Sequence, residues 1–200
     1  MAILMEDFNK ISEENLPEKP SGAKTVNWKR EVWDWAKSLL WAVLIVAVVF
    51  GFIIKPVEVK GFSMEPTLNN QDRLIVYKLM YTPKAGDVVI LDENTGLDEA
   101  LVKRVIATEG QTVSIDDQGY VKVDGVYIDE PYIAEPIAED RRGDHEYPVE
   151  VPDGCVFVMG DNRNHSTDSR SLQVSFVPID DVVGKVVFRI LPLNKIGVIH

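Results

Sequence analysis

Residues 100–108 read "ALVKRVIAT", β-branched and aliphatic positions enclosing a lysine and an arginine in tandem. Such residues fit a pleated, half-buried surface, so the stretch predicts a strand. Alternation then puts Leu101, Lys103 and Val105 on one face and Val102, Arg104 and Ile106 on the other. Each charge is flanked by aliphatics on its own face. A lysine so placed loses hydration, which lowers its pKa toward neutrality, and a neutral lysine is a competent general base. An edge-strand lysine whose ammonium reaches water is the competing reading.

Outward from this strand the chain stays β. "DRLIVYKL" (72–79), "GDVVIL" (86–91), "QTVSI" (111–115), "YVKVDGVYI" (120–128), "CVFVMG" (155–160) and "DVVGKVVFRIL" (181–191) are short, Val- and Ile-rich, and bounded by turn formers. Asp124-Gly125 between two apolar runs is a hairpin signal. The expected architecture is mainly β, a sandwich or a partly closed barrel of antiparallel sheets. Residues 129–153, rich in proline and acid, read as an extended excursion over the surface.

Ahead of the β region lies "SLLWAVLIVAVVFGFII", Ser38 to Ile54, 17 residues without a charge. At 1.5 Å per residue this run is about 26 Å long, the short end of a membrane span. Trp33, Trp35 and Trp41 lie at its start, where interfacial aromatics belong. No A-x-A site follows, which argues against a cleaved leader. Lys24, Lys29, Arg30 and Lys37 before the run slightly outweigh Lys55, Lys60 and Arg73 after it, which favours a cytoplasmic N-terminus. Residues 1–37 read as a largely disordered cytoplasmic tail, and 38–54 as the transmembrane helix. Residues 55–110 with 155–200 read as a catalytic β domain carrying 111–154 as an inserted excursion.

Charge and cysteine content narrow the function. The formal net charge is −11, which argues against nucleic acid as a partner. A single cysteine, Cys155, excludes an intramolecular disulfide, and its place in a Val/Phe strand suits a packed thiol. "GDNRNHSTDSR" (160–170) lacks the ligand pattern of a calcium loop, and His145, His165 and His200 have no zinc-like spacing with Cys155. The loop offers acid–arginine pairs, Asp161 or Asp168 with Arg163 or Arg170. "GFSMEPTL" (61–68), just past the apolar run, holds Ser63 beside turn formers. Ser63 is a turn serine or a nucleophile on these grounds.

The set "GFSMEPTL", "GDVVIL", "LVKRVIATEG" and "VMGDNRNHSTDSR", in this order behind one N-terminal apolar run, resembles the bacterial type I signal peptidases. The length and Gly61 resemble the Gram-positive form. The resemblance implies Ser63 as nucleophile, Lys103 as general base and Ser166 as the hydroxyl that orients the lysine. It implies an ion-pair scaffold of Asp161, Asp168, Arg104 and Arg170. It further implies two antiparallel β-sheet domains on the outer face of the plasma membrane, near the secretion translocon and in contact with lipid. The implied substrates are signal peptides of exported preproteins with small residues at −1 and −3, bound as an added strand along 57–62 and 100–103. Val59, Gly61, Met64, Leu68, Leu101 and Val102 are the expected substrate-binding residues. No metal, cofactor or nucleic acid is implied.

Two departures stand out. Asn164-His165 replaces a common Asp-Asn pair, and "ATEGQ" (107–111) replaces a usual Gly-x-Pro-Gly-Asp turn. Some family members place a hydroxyl where Gly61 stands, so a second oxyanion donor here must be backbone or water. A self-cleaving Ser–Lys repressor would share the dyad, but it should carry a DNA-binding domain and no span. An inactive signal-peptide-binding module would have lost Ser63 or Lys103. A Ser–His enzyme built on His165 is a further alternative.

Overall fold

The computed structural model describes residues 28–95, 97 and 99–200. The expectations for residues 1–27 lie outside the described residues. Helix α1 (Trp28–Val48) begins ten positions before the expected span and leads into a wider π turn, Val49–Ile53. Residues 28–37 are thus helical, not disordered, because Trp28 to Lys37 contains no helix breaker and continues into the apolar run. Trp28–Gly51 is long and apolar enough to cross a membrane, and no side chain of α1 is buried. The helical run stops before Ile54, which opens a strand.

Residues from Val46 onward form one compact unit. Its larger sheet joins β1 (Ile54–Glu58), β2 (Arg73–Tyr77), β3 (Val88–Leu91), β4 (Leu101–Thr108), β9 (Cys155–Met159), β10 (Val177–Pro178), β11 (Val182–Leu191) and β12 (Gly197–Val198). The order is β1-β2-β11-β3-β4-β9-β10, antiparallel throughout, with β12 on β11. Bulges in β11 and β4 bend this sheet into a half-barrel. The smaller sheet, β7-β6-β5-β8, uses β5 (Thr112–Ile115), β6 (Val121–Val123), β7 (Val126–Tyr127) and β8 (Val149–Glu150). Its β6–β7 hairpin turns through Asp124 and Gly125, both at positive φ, as the Asp-Gly pair predicts.

Strand β3 is buried on both faces, which explains its unbroken "VVIL". Val88 and Ile90 join Val59, Met64, Leu68 and Leu74 in one core, while Val89 and Leu91 join Leu101, Val105, Val156 and Val158 in another. A third core, with Ile106, Val113, Val121 and Phe157, ties the smaller sheet to the larger. The segment between β1 and β2 lies over the first core. It is pinned by Val59 and Gln71, which bond Asp72 and Val59 carbonyls, and by Arg189, whose Nη1 donates to Thr67 O and Asp72 Oδ2.

Candidate active site

Strand β4 separates its two charges as alternation requires. Lys103 pairs across β3 with Val89 and shares its face with Leu101 and Val105; its side chain is only 2% exposed. Burial, partly offset by the Asp168 carboxylate, pulls its ammonium down to about 8. The snorkelling alternative is therefore wrong for this lysine. Its Nζ donates to Ser166 Oγ at 3.1 Å.

Arg104 faces the other way, between the first and third cores. Its Nε and Nη2 donate to both oxygens of Asp161, each at 2.8 Å, and both side chains are buried. Nη1 donates to the carbonyls of Gly86 and His200. The Tyr132 ring stacks 3.9 Å from the guanidinium. Arg170 makes a second buried bidentate pair with Asp168. Burial alone would raise the Asp168 carboxyl, but Arg170, Lys103 and the Gly160 N–H hold it below the usual carboxylate range. Two compensated ion pairs thus flank Lys103 without adding net charge beside it.

Ser63 enters this assembly through its backbone. Its carbonyl accepts from the Asn162 N–H at 3.0 Å, and Gly160 packs against the same oxygen so closely that a Cβ would overlap it. The same Cβ would overlap Ser166 Oγ, so Ser63 and Ser166 meet across Gly160. The hydrogen bond of Lys103 goes to Ser166, and Ser63 Oγ is not among its partners. Catalytic hydrogen bonds are often loose until substrate is bound.

The structure redistributes several expected roles. Arg163 pairs with Glu130 rather than with an aspartate of its own loop. Glu130 and Tyr132 are turned in toward the Arg104 cluster, so the start of the 129–153 excursion is part of the scaffold, not a surface arm. Met64 and Leu68 are 1% and 0% exposed and Val59 is 3% exposed; all three belong to the first core, and Leu101 belongs to the second. These four side chains are packed into cores and form no open wall of the groove. Val102 does line a groove of about 400 Å³, with Val57, Lys60, Ile90, Glu99 and Ala100. Strand β1 covers 54–58 only, so 59–62 offers no strand edge: Gly61, at φ +86°, turns the chain away. Two open edges border this groove. β1 is the terminal strand, and β4 pairs with β9 only from Arg104 onward, leaving 101–103 unpaired on that side.

Asn164 and His165 are accounted for. Asn164 clamps the excursion, accepting from Ala138 N–H and donating to Glu135 and Pro136. His165 is exposed, and among the described residues it bonds only through its backbone N–H, to Asn162 O. Cys155 packs beside the third core, where burial pushes its thiol up. Among the described residues no cluster of His, Cys, Asp and Glu could hold a metal. Thr67, which donates to Asp161, and Glu130, Tyr132 and Asn162 escaped the sequence reading, since only folding brings them to the site.

The family model and the sequence relatives point to the same family. The model of the family "Signal peptidase, peptidase S26" matches residues 32–191. Signal peptidase I of Bacillus licheniformis is 36% identical over 182 residues, 86% of this chain and 96% of that protein. A probable signal peptidase I-1 of Synechocystis is 37% identical over 179 residues, 82% of this chain and 87% of its own. A solved signal peptidase I from Enterococcus faecalis is 26% identical and covers 52% of this chain and 97% of its own, with a TM-score of 0.43.

Proposed function

The chain belongs to the signal peptidase family, peptidase S26, and on that premise we propose that it is a Ser–Lys endopeptidase removing signal peptides from exported preproteins. Ser63 Oγ attacks the scissile carbonyl carbon and gives its proton to Lys103 Nζ. The C–N bond then breaks, and Lys103 protonates the departing amine. Water, deprotonated by Lys103, hydrolyses the Ser63 ester and frees the enzyme. The Ser63 N–H donates to the oxyanion. Ser166 orients the lysine, and the Arg104–Asp161 and Arg170–Asp168 pairs hold the loop that carries Ser166.

The observation that carries this reading is the buried lysine. An amine held at about 8 by burial supplies neutral base near physiological pH, and its hydrogen-bond partner Ser166 meets the Ser63 backbone across Gly160. The substrate lies extended between the open edges of β1 and the start of β4, its small side chains entering the groove beside Val102. Helix α1 anchors the enzyme in the plasma membrane with its N-terminus in the cytoplasm, so that Ser63, twelve positions after Gly51, works at the outer surface. Apolar signal segments in the same bilayer present their cleavage sites at that height.

The test uses the detergent-solubilised full chain and a preprotein with an Ala-x-Ala site. Wild type cleaves it; Ser63→Ala and Lys103→Ala do not, while both keep the wild-type circular dichroism spectrum. Cleavage by purified Lys103→Ala would overturn the mechanism.

A further inference from the structure

We infer that Asn162 is a positioning residue for the oxyanion site: by holding the Phe62 carbonyl it sets the direction of the Ser63 N–H. The inference rests on Ser63 being the nucleophile. Asn162 touches the nucleophile's backbone on both sides. Its Nδ2 donates to Phe62 O at 3.1 Å, and its own N–H donates to Ser63 O at 3.0 Å. A trans peptide is planar, with C=O and N–H antiparallel. Fixing the Phe62 oxygen therefore fixes the Ser63 N–H in the same plane, pointing away from Asn162. Fixing the Ser63 oxygen fixes the following plane, so the Ser63 Cα is held between two locked peptides.

Among the described residues the Ser63 N–H has no hydrogen-bond partner. A backbone donor aimed and left free is what a developing oxyanion needs. Glu65 N–H also donates to Phe62 O, at 3.2 Å, but it belongs to the same turn and moves with it. Asn162 instead ties that turn to the loop of Ser166. It is itself held, because its carbonyl accepts from His165 N–H and Arg163 Nε bonds Gly160 O, two residues back. The side chain must be an amide of this length. Aspartate would set an acceptor against the Phe62 carbonyl, and alanine would leave only the backbone contact.

The experiment measures kcat, KM and the pH midpoint of kcat/KM for Asn162→Ala on the Ala-x-Ala preprotein. It also measures affinity for a peptide aldehyde, whose Ser63 adduct carries the oxyanion. The expected kcat falls about 10- to 100-fold with KM within about twofold. Aldehyde affinity falls in parallel, and the pH midpoint stays in place because Lys103 and its neighbours are untouched. A wild-type kcat, or a loss accompanied by a moved midpoint, overturns the inference. Should Asn162→Ala not fold, the isosteric Asn162→Asp is expected to show the same loss of kcat, and a wild-type kcat in that variant overturns it equally. If wild type shows no Ser63-dependent cleavage, the functional reading falls as well; if wild type cleaves and Asn162→Ala cleaves as fast, only the positioning role falls.

Discussion

A Cβ at Gly160 would stand 2.4 Å from the Ser63 carbonyl oxygen and 2.3 Å from Ser166 Oγ. Ser63 and the hydroxyl that receives the lysine's hydrogen bond are thus kept together by a residue with no side chain. Gly160→Ala should force the loop off Ser63, because one of the overlapping atoms is backbone and cannot swing aside. We expect cleavage to fall at least about 100-fold and stability to drop by about 1–3 kcal/mol, the usual cost of overpacking. Preprotein cleavage and thermal melts check this, and full activity in Gly160→Ala would contradict the close contact.

Lys103, as the proposed base, should give the enzyme an alkaline preference. Its pKa is lowered from 10.5 to about 8, so kcat/KM should rise with pH through a midpoint near 8 as the neutral base forms. Lys103→Arg should be inactive across the range, since a guanidinium stays protonated. The stability effect has a definite sign. Between pH 8 and 10.5 the unfolded chain binds the proton that the folded chain has released, so folding is favoured as pH rises through that window. Lys103→Met should therefore be stabilising at pH 7, by an advantage that shrinks toward pH 10. Urea titrations at both pH values measure it.

Breaking the Arg104–Asp161 pair leaves a carboxylate with no exposed surface and, among the described residues, no other ion-pair partner. Arg104→Ala should cost about 3–5 kcal/mol, the range for a buried ion pair that loses one partner. Arg104→Ala with Asp161→Ala should recover part of that loss. A double-mutant cycle by denaturant unfolding gives the coupling, and additive single effects would show the pair to be screened.

Gly61 occupies φ +86°, with no atom within 4 Å of where a Cβ would stand. Adding the hydroxyl that some relatives carry there meets open space but a backbone that other residues rarely adopt. Gly61→Ser should lower stability by about 1–3 kcal/mol without speeding cleavage. A faster enzyme with an unchanged melting temperature would show instead that the turn rearranges to present the hydroxyl.

Period-two patterning was enough to place Lys103 and Arg104 on opposite faces of a strand, and Val- and Ile-rich runs between turn formers marked eight of the strands. It failed where local pattern and tertiary contact part company. The apolar run ends in strand β1, because Ile54–Glu58 finds a partner in β2 that periodicity cannot announce. Met64 and Leu68 read as groove walls because they flank Ser63, yet the segment folds over a core that takes them in. Glu130, Tyr132 and Asn162 are ordinary polar positions in loops, and their roles arise from contacts over long sequence separations. The lysine was legible because a charge among aliphatics is a local anomaly, whereas the residues that hold Ser63 in place are not.

The hydrogen bond from Arg104 Nη1 to the His200 carbonyl carries a consequence in time. Ser63 leaves the ribosome early, but the guanidinium that orients Asp161 lacks one of its acceptors until residue 200 has followed. The guanidinium that grips Asp161 therefore gains its full set of acceptors only when residue 200 has packed against strand β4, 96 positions further along the chain.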